Sequence, residues 1–194
     1  MRRLLHLQLR VAKSYRIFRD DQAAQIVEFA LSLPLLMLFV VGIFDFSGAL
    51  SLKQKLTNAA RDGARVAAAD PASDLSATVP ASVSDAFQTV DLALISAKVN
   101  DCGLGKFPPT ASTGLTWTAS STGFGCTGTG IKVTINRGCV TPQTTGTTTI
   151  YLVDTCVTVV YAYGWKFGGV ESLLGGTFTL PSTITTTAVA FNEN

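Results

Sequence analysis

The chain contains a single histidine, His6, and it lies in the basic N-terminal segment. If that segment is removed or stays in the cytoplasm, the rest of the chain has no imidazole. Catalysis by Ser-His-Asp or Cys-His groups and zinc sites ligated by histidine are then excluded. Charge is also scarce, because Asp, Glu, Lys and Arg together make up only 14% of the 194 residues.

Basic charge is concentrated at the N-terminus. Residues 1–23 hold six basic and two acidic residues, whereas the remainder holds nine basic and eleven acidic ones. No later basic patch indicates nucleic-acid binding, so nucleic acid is not an expected partner. The eleven carboxylates are not grouped in the sequence. The sequence therefore does not indicate a hydrolase that uses a pair of carboxylates. We therefore expect no catalytic residue and no enzyme.

The four cysteines do not show metal-ligand spacing. No two of them are separated by two residues, and the glycine-rich string at 123–130 is not followed by lysine or a helix start. We expect no metal and no cofactor. An even number of cysteines beyond an apolar segment favours two disulfides. Three connectivities are possible, of which we favour Cys102–Cys126 and Cys139–Cys156, because each closes a loop between adjacent elements.

An apolar run of 25 residues extends from Ile26 to Leu50, with Glu28 and Asp45 near its ends. That length is sufficient for a helix that crosses a bilayer. Six basic residues precede the run and only two lysines follow it closely, which predicts a cytoplasmic N-terminus and an extracytoplasmic C-terminal domain. A cleaved secretory signal is the competing interpretation, but the run is long and lacks a small-residue cleavage site after it.

Glu28 is a charged residue of this run, and placing it in a membrane costs free energy. A charged side chain at the centre of a membrane span costs roughly 2.5–3.5 kcal/mol on insertion scales, and less near an end. An intramembrane carboxylate is therefore a candidate functional group. The alternative is that Glu28 extends into the lipid headgroups without a specific partner.

Several separated strings resemble one known family. Residues 27–36, 42–46 and 58–65 read VEFALSLPLL, GIFDF and NAARDGAR. In this order they resemble TadE-like minor pseudopilins of tight-adherence (Flp-type, type IV) pilus systems. The resemblance is dense over residues 22–69, and residues 188–193 resemble the closing strand of the family.

The resemblance implies a processing site and assembly contacts. A prepilin peptidase would cut between Ala23 and Ala24, in a pattern that continues with Glu28 and Phe29, although the family usually has glycine where this chain has Ala23. Glu28 would pair with the new N-terminal amine of a neighbouring subunit. The charged residues that the resemblance suggests as further subunit contacts are Asp45, Arg61 and Arg65.

The expected partners follow from the same resemblance. They are the membrane, the prepilin peptidase, other pilins or pseudopilins, and the pilus assembly platform. The expected location is the bacterial inner membrane, crossed once, with the C-terminal domain in the periplasm. Arg61 and Arg65 are like charges one turn apart. They face either solvent or an acidic group on another subunit.

The fold expected from these patterns is α+β, with a long N-terminal transmembrane helix that extends into a small antiparallel sheet, as in pilins. The predicted regions are a leader (1–23), a transmembrane helix (24–50), an extracytoplasmic helical region (51–100) and a disulfide-containing β region (101–194). The predicted elements are a helix ending at Asp70-Pro71, a second helix over 80–99, a loop or irregular hairpin over 101–130, and strands over 131–136, 149–163 and 183–191 with a turn over 141–148.

One stripe of the first helix, Leu56, Ala59, Gly63 and Ala67, is small or apolar. It is expected to pack on the core of the domain, with a neighbouring helix as the alternative.

Two functions are consistent with these sequence patterns. The first is a membrane-anchored pseudopilin that takes part in initiation or priming of pilus assembly. The alternative is a ligand-binding or sensor module held outside the membrane by an ordinary signal anchor. The alternative, a signal-anchored module, explains the topology but not the position of Glu28 relative to Ala23 and Ala24.

Overall fold

The computed structural model describes residues 21–69, 79–166 and 180–192. These residues form helix α1 (Asp21–Ala68), helix α2 (Ala81–Ser96), a short 3₁₀ helix (Leu104–Lys106) and strands β1 (Thr110–Thr113), β2 (Thr116–Ser121), β3 (Ile131–Thr145), β4 (Thr148–Ala162) and β5 (Thr183–Phe191). The α+β class expected from the sequence is confirmed. The chain divides into two compact units, Met1–Asp45 and Phe46–Asn194.

The described part of the first unit is the apolar half of α1. Large apolar side chains there are exposed, including Phe29 at 66% and Ile43 at 69%. Among the described helices, the one that includes Ala24–Ala68 is long and apolar enough to cross a membrane. Side chains of this kind are stable next to lipid, and the helix satisfies its own backbone hydrogen bonds. The segment therefore fits a single-pass membrane anchor.

The second unit has a five-stranded antiparallel sheet with the strand order β1-β2-β3-β4-β5. Side chains alternate between its two faces because successive residues of a strand point in opposite directions. Ile131, Val133 and Ile135 of β3 are fully buried, as are Val157 and Val159 of β4. These residues join side chains of α1 and α2 in one core. The two helices therefore cover one face of the sheet.

The small stripe of α1 packs on this core, as expected. Leu56, Ala59 and Ala67 are at most 1% exposed. A Cβ at Gly63 would collide with a methyl group of Val90 on α2 and would lie 3.8 Å from a methyl group of Val157 on β4. The absence of a side chain at this position lets α1 approach α2 and the sheet together.

The other face of the sheet carries a row of threonines. Cross-strand pairing connects one threonine on each of the five strands, in the order Thr110, Thr118, Thr134, Thr158 and Thr187. Two neighbouring pairs also have their hydroxyls within hydrogen-bond distance, at 3.4 Å for the second and third members and 3.0 Å for the last two. Cross-strand threonine pairs of this type stabilise a sheet.

The β3–β4 hairpin is longer than the sequence predicted. The strand expected to end at Asn136 continues to Thr145, past a bulge between Asn136 and Cys139, and the turn contains only Gly146 and Thr147. Gly146 has a φ of 65°, which glycine adopts without strain. The predicted turn over 141–148 was therefore wrong, because its threonines are β-branched and pair across the hairpin.

The region 101–130 also has more structure than expected. It contains the 3₁₀ helix and the β1–β2 hairpin, and β2 pairs along its whole length with β3. The two disulfides are Cys102–Cys126 and Cys139–Cys156, which are the pairs favoured by the sequence. The first connects the loop after α2 to the loop before β3, and the second lies across the bulge.

Replacing Gly63 should test the close approach of α1 to α2. Gly63→Ala should lower the free energy of unfolding by about 1–3 kcal/mol, the usual cost of overpacking a well-packed core. The matched control is Gly42→Ala on the same helix, where an added Cβ meets nothing within 4 Å. The control should be neutral or slightly stabilising because alanine favours helix. Thermal unfolding in detergent, followed by circular dichroism, measures both, and equal midpoints would contradict the packing argument.

The disulfides make a second prediction. Labelling of the unreduced, denatured protein with a thiol reagent should modify no cysteine, and labelling after reduction should modify all four. Replacing both Cys139 and Cys156 by serine should destabilise the protein by about 3 kcal/mol, the loop-entropy value for a closed loop of this size. Two or more reactive thiols before reduction would contradict the assignment.

Candidate processing and assembly site

The predicted processing residues lie at the start of α1. The backbone is helical from Asp21, so Ala23, Ala24, Glu28 and Phe29 all belong to this helix, and the last three are exposed. Ala24 and Glu28 are four residues apart, which places them on the same face of the helix, one turn from each other. No ion pair connects Glu28 to another described residue. Glu28 thus presents a carboxylate on the outer surface of an apolar helix.

Asp45 lies at the other end of the apolar segment. Its side chain is 6% exposed, and it already has an interaction partner. It therefore differs from Glu28, whose carboxylate is open to its surroundings. Participation of Asp45 in a subunit contact stays a prediction.

Arg61 and Arg65 lie on the exposed side of α1, opposite the small stripe. Within residues 21–69, 79–166 and 180–192, no carboxylate forms an ion pair with either of them. Arg65 also lines a groove of about 450 Å³ together with Asp62, Thr89 and Phe191. The exposed ring of Phe191 and the charged residues of α1 therefore lie on one surface. A subunit contact at this surface stays a prediction.

Sequence reasoning missed a buried arginine. Arg137 in the bulge of β3 is 3% exposed, and its Nη1 donates a hydrogen bond to the Ser82 hydroxyl at 3.2 Å. Its backbone N–H donates to the carbonyl of Leu115 at 3.0 Å. The residue thus connects the bulge to the first turn of α2. The only sequence signal was a basic residue at an apolar position of the strand alternation, beside Gly138.

Sequence reasoning also missed a pair of carboxyl groups. Asp91 on α2 forms a side-chain hydrogen bond with Asp101, in the loop after α2. Burial raises the pKa of Asp91, the charge and hydrogen bond of Asp101 raise it further, and a hydrogen bond from the backbone of Gly105 lowers it. Burial, followed by the charge of Asp101, also raises the pKa of Tyr161. Asp91 therefore keeps its proton to a higher pH than an exposed aspartate does.

The groove beside Asp91 has a volume of about 340 Å³ and is lined by apolar residues, among them Phe87, Leu104 and Phe107, together with the polar residues Ser84 and Gln88. The described residues contain no group of three or more His, Cys, Asp or Glu side chains that could hold a metal ion. One oxygen of Asp91 is buried without a hydrogen-bond partner. The pair is best understood as a structural contact between α2 and the following loop.

The carboxyl pair predicts a pH-dependent effect of Asp91→Asn. Because the pKa of Asp91 is raised above its ordinary value of 3.8, the folded state binds this proton more tightly than the unfolded state does. The stability that comes from the proton is complete below the unfolded pKa and is lost as the pH rises through the folded pKa. The neutral amide avoids that loss, so the variant should be more stable than wild type at pH 7.

The advantage of the variant should shrink as the pH falls toward about 4, the range of the unfolded pKa. Thermal unfolding at several pH values measures the difference. Asp85→Asn is the matched control, because Asp85 is an exposed aspartate on the same helix. A difference between wild type and Asp91→Asn that is the same at both ends of the pH range would contradict the raised pKa of Asp91.

Comparison with known proteins finds a family to which the first part of the chain is similar. Residues 23–65 match the family model described as TadE-like protein. No curated protein and no solved structure matches the chain. The matched segment begins at Ala23 and ends at Arg65, so it contains every processing and assembly residue predicted from the sequence. The match confirms the resemblance seen in the sequence, which is a similarity to the TadE-like family over residues 23–65.

Proposed function

We propose that this protein is a membrane-anchored pseudopilin that takes part in the initiation or priming of a tight-adherence pilus. The observation that carries the proposal is the position of Glu28 relative to the start of the family match. The match begins at Ala23, and Glu28 lies four residues after Ala24 in the same helix. A cut between Ala23 and Ala24 would make Glu28 the fifth residue of the mature chain.

The chemistry of Glu28 supports this role. A carboxylate at the edge of a bilayer is costly unless a cation pairs with it. Cleavage before Ala24 creates an α-amino group, which is a cation at neutral pH. The amine of one subunit and Glu28 of the next would satisfy each other inside the membrane. Assembly would then depend on prior cleavage, because the amine does not exist before the cut.

The proposed location follows from the anchor. The apolar part of α1 crosses the bacterial inner membrane once, the basic N-terminal segment stays in the cytoplasm, and the sheet domain lies in the periplasm. The distribution of basic residues before and after the apolar run supports this orientation. The TadE-like family is structural, and we infer that this protein also acts through contacts with other pilins or pseudopilins and with the assembly platform, without catalysis of its own.

Cleavage is the first test. When the protein is produced with its cognate prepilin peptidase and extracted from the membrane, intact-mass measurement should show loss of residues 1–23 and an N-terminus at Ala24. Ala23→Lys should block this cleavage, because the peptidase requires a small residue before the cut. Ala23→Gly is the matched control, and it should be processed at least as fully as wild type. An intact Met1 in the presence of active peptidase would overturn the proposal and favour an ordinary signal anchor.

The role of Glu28 needs a separate readout. Glu28→Gln keeps the size of the side chain and removes its charge, so the variant should still be cut before Ala24. It should lose most of the crosslinking to other pilus subunits that wild type shows, whereas Glu28→Asp should keep part of it. Equal crosslinking by wild type and Glu28→Gln would show that the amine–carboxylate pair is not used.

A further inference from the structure

The second unit has two chemically different ends. We call the end at which the chain enters the unit, at Phe46, the entry end. A Cβ at Gly48 would lie 3.1 Å from the Tyr163 hydroxyl, just past the end of β4. The hydroxyls of Thr57 and Thr186 are 2.9 Å apart, so α1 runs along β5 in the same direction. The entry end therefore includes the first turns of α1, the end of β4 and the start of β5.

The lysines of this unit are concentrated at the entry end. They are at least partly exposed and come from separate elements: Lys53 and Lys55 from α1, Lys98 after α2, Lys106 from the 3₁₀ helix and Lys132 from the start of β3. Lys166 follows β4 at the same end and has an interaction partner of its own. Five elements that are distant in sequence thus bring the same charge to one end of the fold.

The opposite end has a mixed charge. Its exposed charged residues include Arg61 and Arg65 together with Asp62 and Asp85. The carboxylates on the entry side include Asp101 and its hydrogen-bonded neighbour Asp91, and they are fewer than the lysines there. The entry end is therefore the strongly positive surface of the unit.

Aromatic side chains accompany the lysines. Tyr163 and Trp165 pack edge to face with their ring centroids 5.0 Å apart, and the indole N–H donates to the carbonyl of Pro181 at 2.8 Å. The ring of Phe124 is 58% exposed, and the Lys106 Nζ lies 4.0 Å from its centroid. Tyrosine and tryptophan beside basic side chains are the composition that proteins use at the membrane–water interface.

We propose that the entry end binds the anionic lipid headgroups of the bilayer that holds the apolar helix. Three observations support a lipid surface as the occupant: lysines from several elements give the entry end a net positive charge, a tyrosine and a tryptophan of the interfacial type lie beside them, and Phe46 is covalently continuous with the apolar segment. Anionic lipid headgroups attract lysines that lie within about a Debye length of them. The proposal rests on the membrane anchor, and it is independent of cleavage at Ala23 and of pilus assembly.

Trp165 provides a native probe for the test. The chain has two tryptophans, and Trp117 is only 3% exposed, so it acts as a buried reference. The full-length protein is reconstituted in bilayers of phosphatidylglycerol or phosphatidylcholine that contain a lipid with a nitroxide on its headgroup. Quenching of tryptophan emission should be at least about twofold stronger in phosphatidylglycerol, and this excess should disappear at 1 M salt, where the Debye length is about 3 Å. Trp165→Phe should remove the quenched signal.

The dependence of the quenching on the lysine charges is the decisive test of the proposal. The double variant Lys98→Gln with Lys106→Gln should lose most of the excess quenching; neither lysine belongs to α1, so the anchor itself is unchanged. The matched control is Arg61→Gln with Arg65→Gln, which removes the same charge from the opposite end and should keep the excess. Circular dichroism confirms that each variant is folded. Equal quenching in both lipids, no effect of the lysine substitutions, or an equal effect of the arginine substitutions would each overturn the proposal.

Discussion

The approach of α1 to α2 at Gly63 is the constraint on which the second unit depends. There is no room for a side chain between the backbone of α1 and Val90, so the two helices and the sheet meet at one point. Leu56 and Leu94, both fully buried, fill the space around this contact. Once the inner side of α1 is fixed in this way, the charged residues from Arg61 to Arg65 can only lie on its outer side. The same packing that forms the core therefore presents the residues proposed for assembly.

The sequence was informative wherever a single periodicity decided the structure. The stripe from Leu56 to Ala67, the start of α2 after Pro80 and the alternation over 131–136 all appear as predicted. The bulge at Arg137 and the contact between Asp91 and Asp101 were not predicted, and the β1–β2 hairpin was predicted only as a loop or an irregular hairpin somewhere within 101–130. Each of these depends on residues that are distant in sequence, and threonine- and glycine-rich segments carry little local signal for such contacts. The candidate site at Glu28 was predictable because its signal is a spacing within one helix.

In the proposed function, the two units act in different surroundings: the first in lipid and the second in water. In the first unit, Glu28 places an exposed carboxylate on a helix that is otherwise suited to lipid, and the proposed role of this charge is to align subunits within the membrane. The sheet of the second unit lies beyond residue 65, where the family match ends. A segment similar to the TadE-like family is thus joined to a sheet domain that the family model does not cover.

The row of threonines has a consequence for the solubility of the sheet. Most exposed sheet faces remain soluble through lysine and glutamate, whose hydration depends on pH and on ionic strength. Here five strands contribute hydroxyl groups that neither titrate nor respond to salt, and their β-branched methyls still suit the extended backbone. The row of hydroxyls should therefore hydrogen-bond to water equally well in dilute and in concentrated electrolyte. One strip of the sheet surface thus keeps its hydration when the pH or the salt concentration of the medium changes.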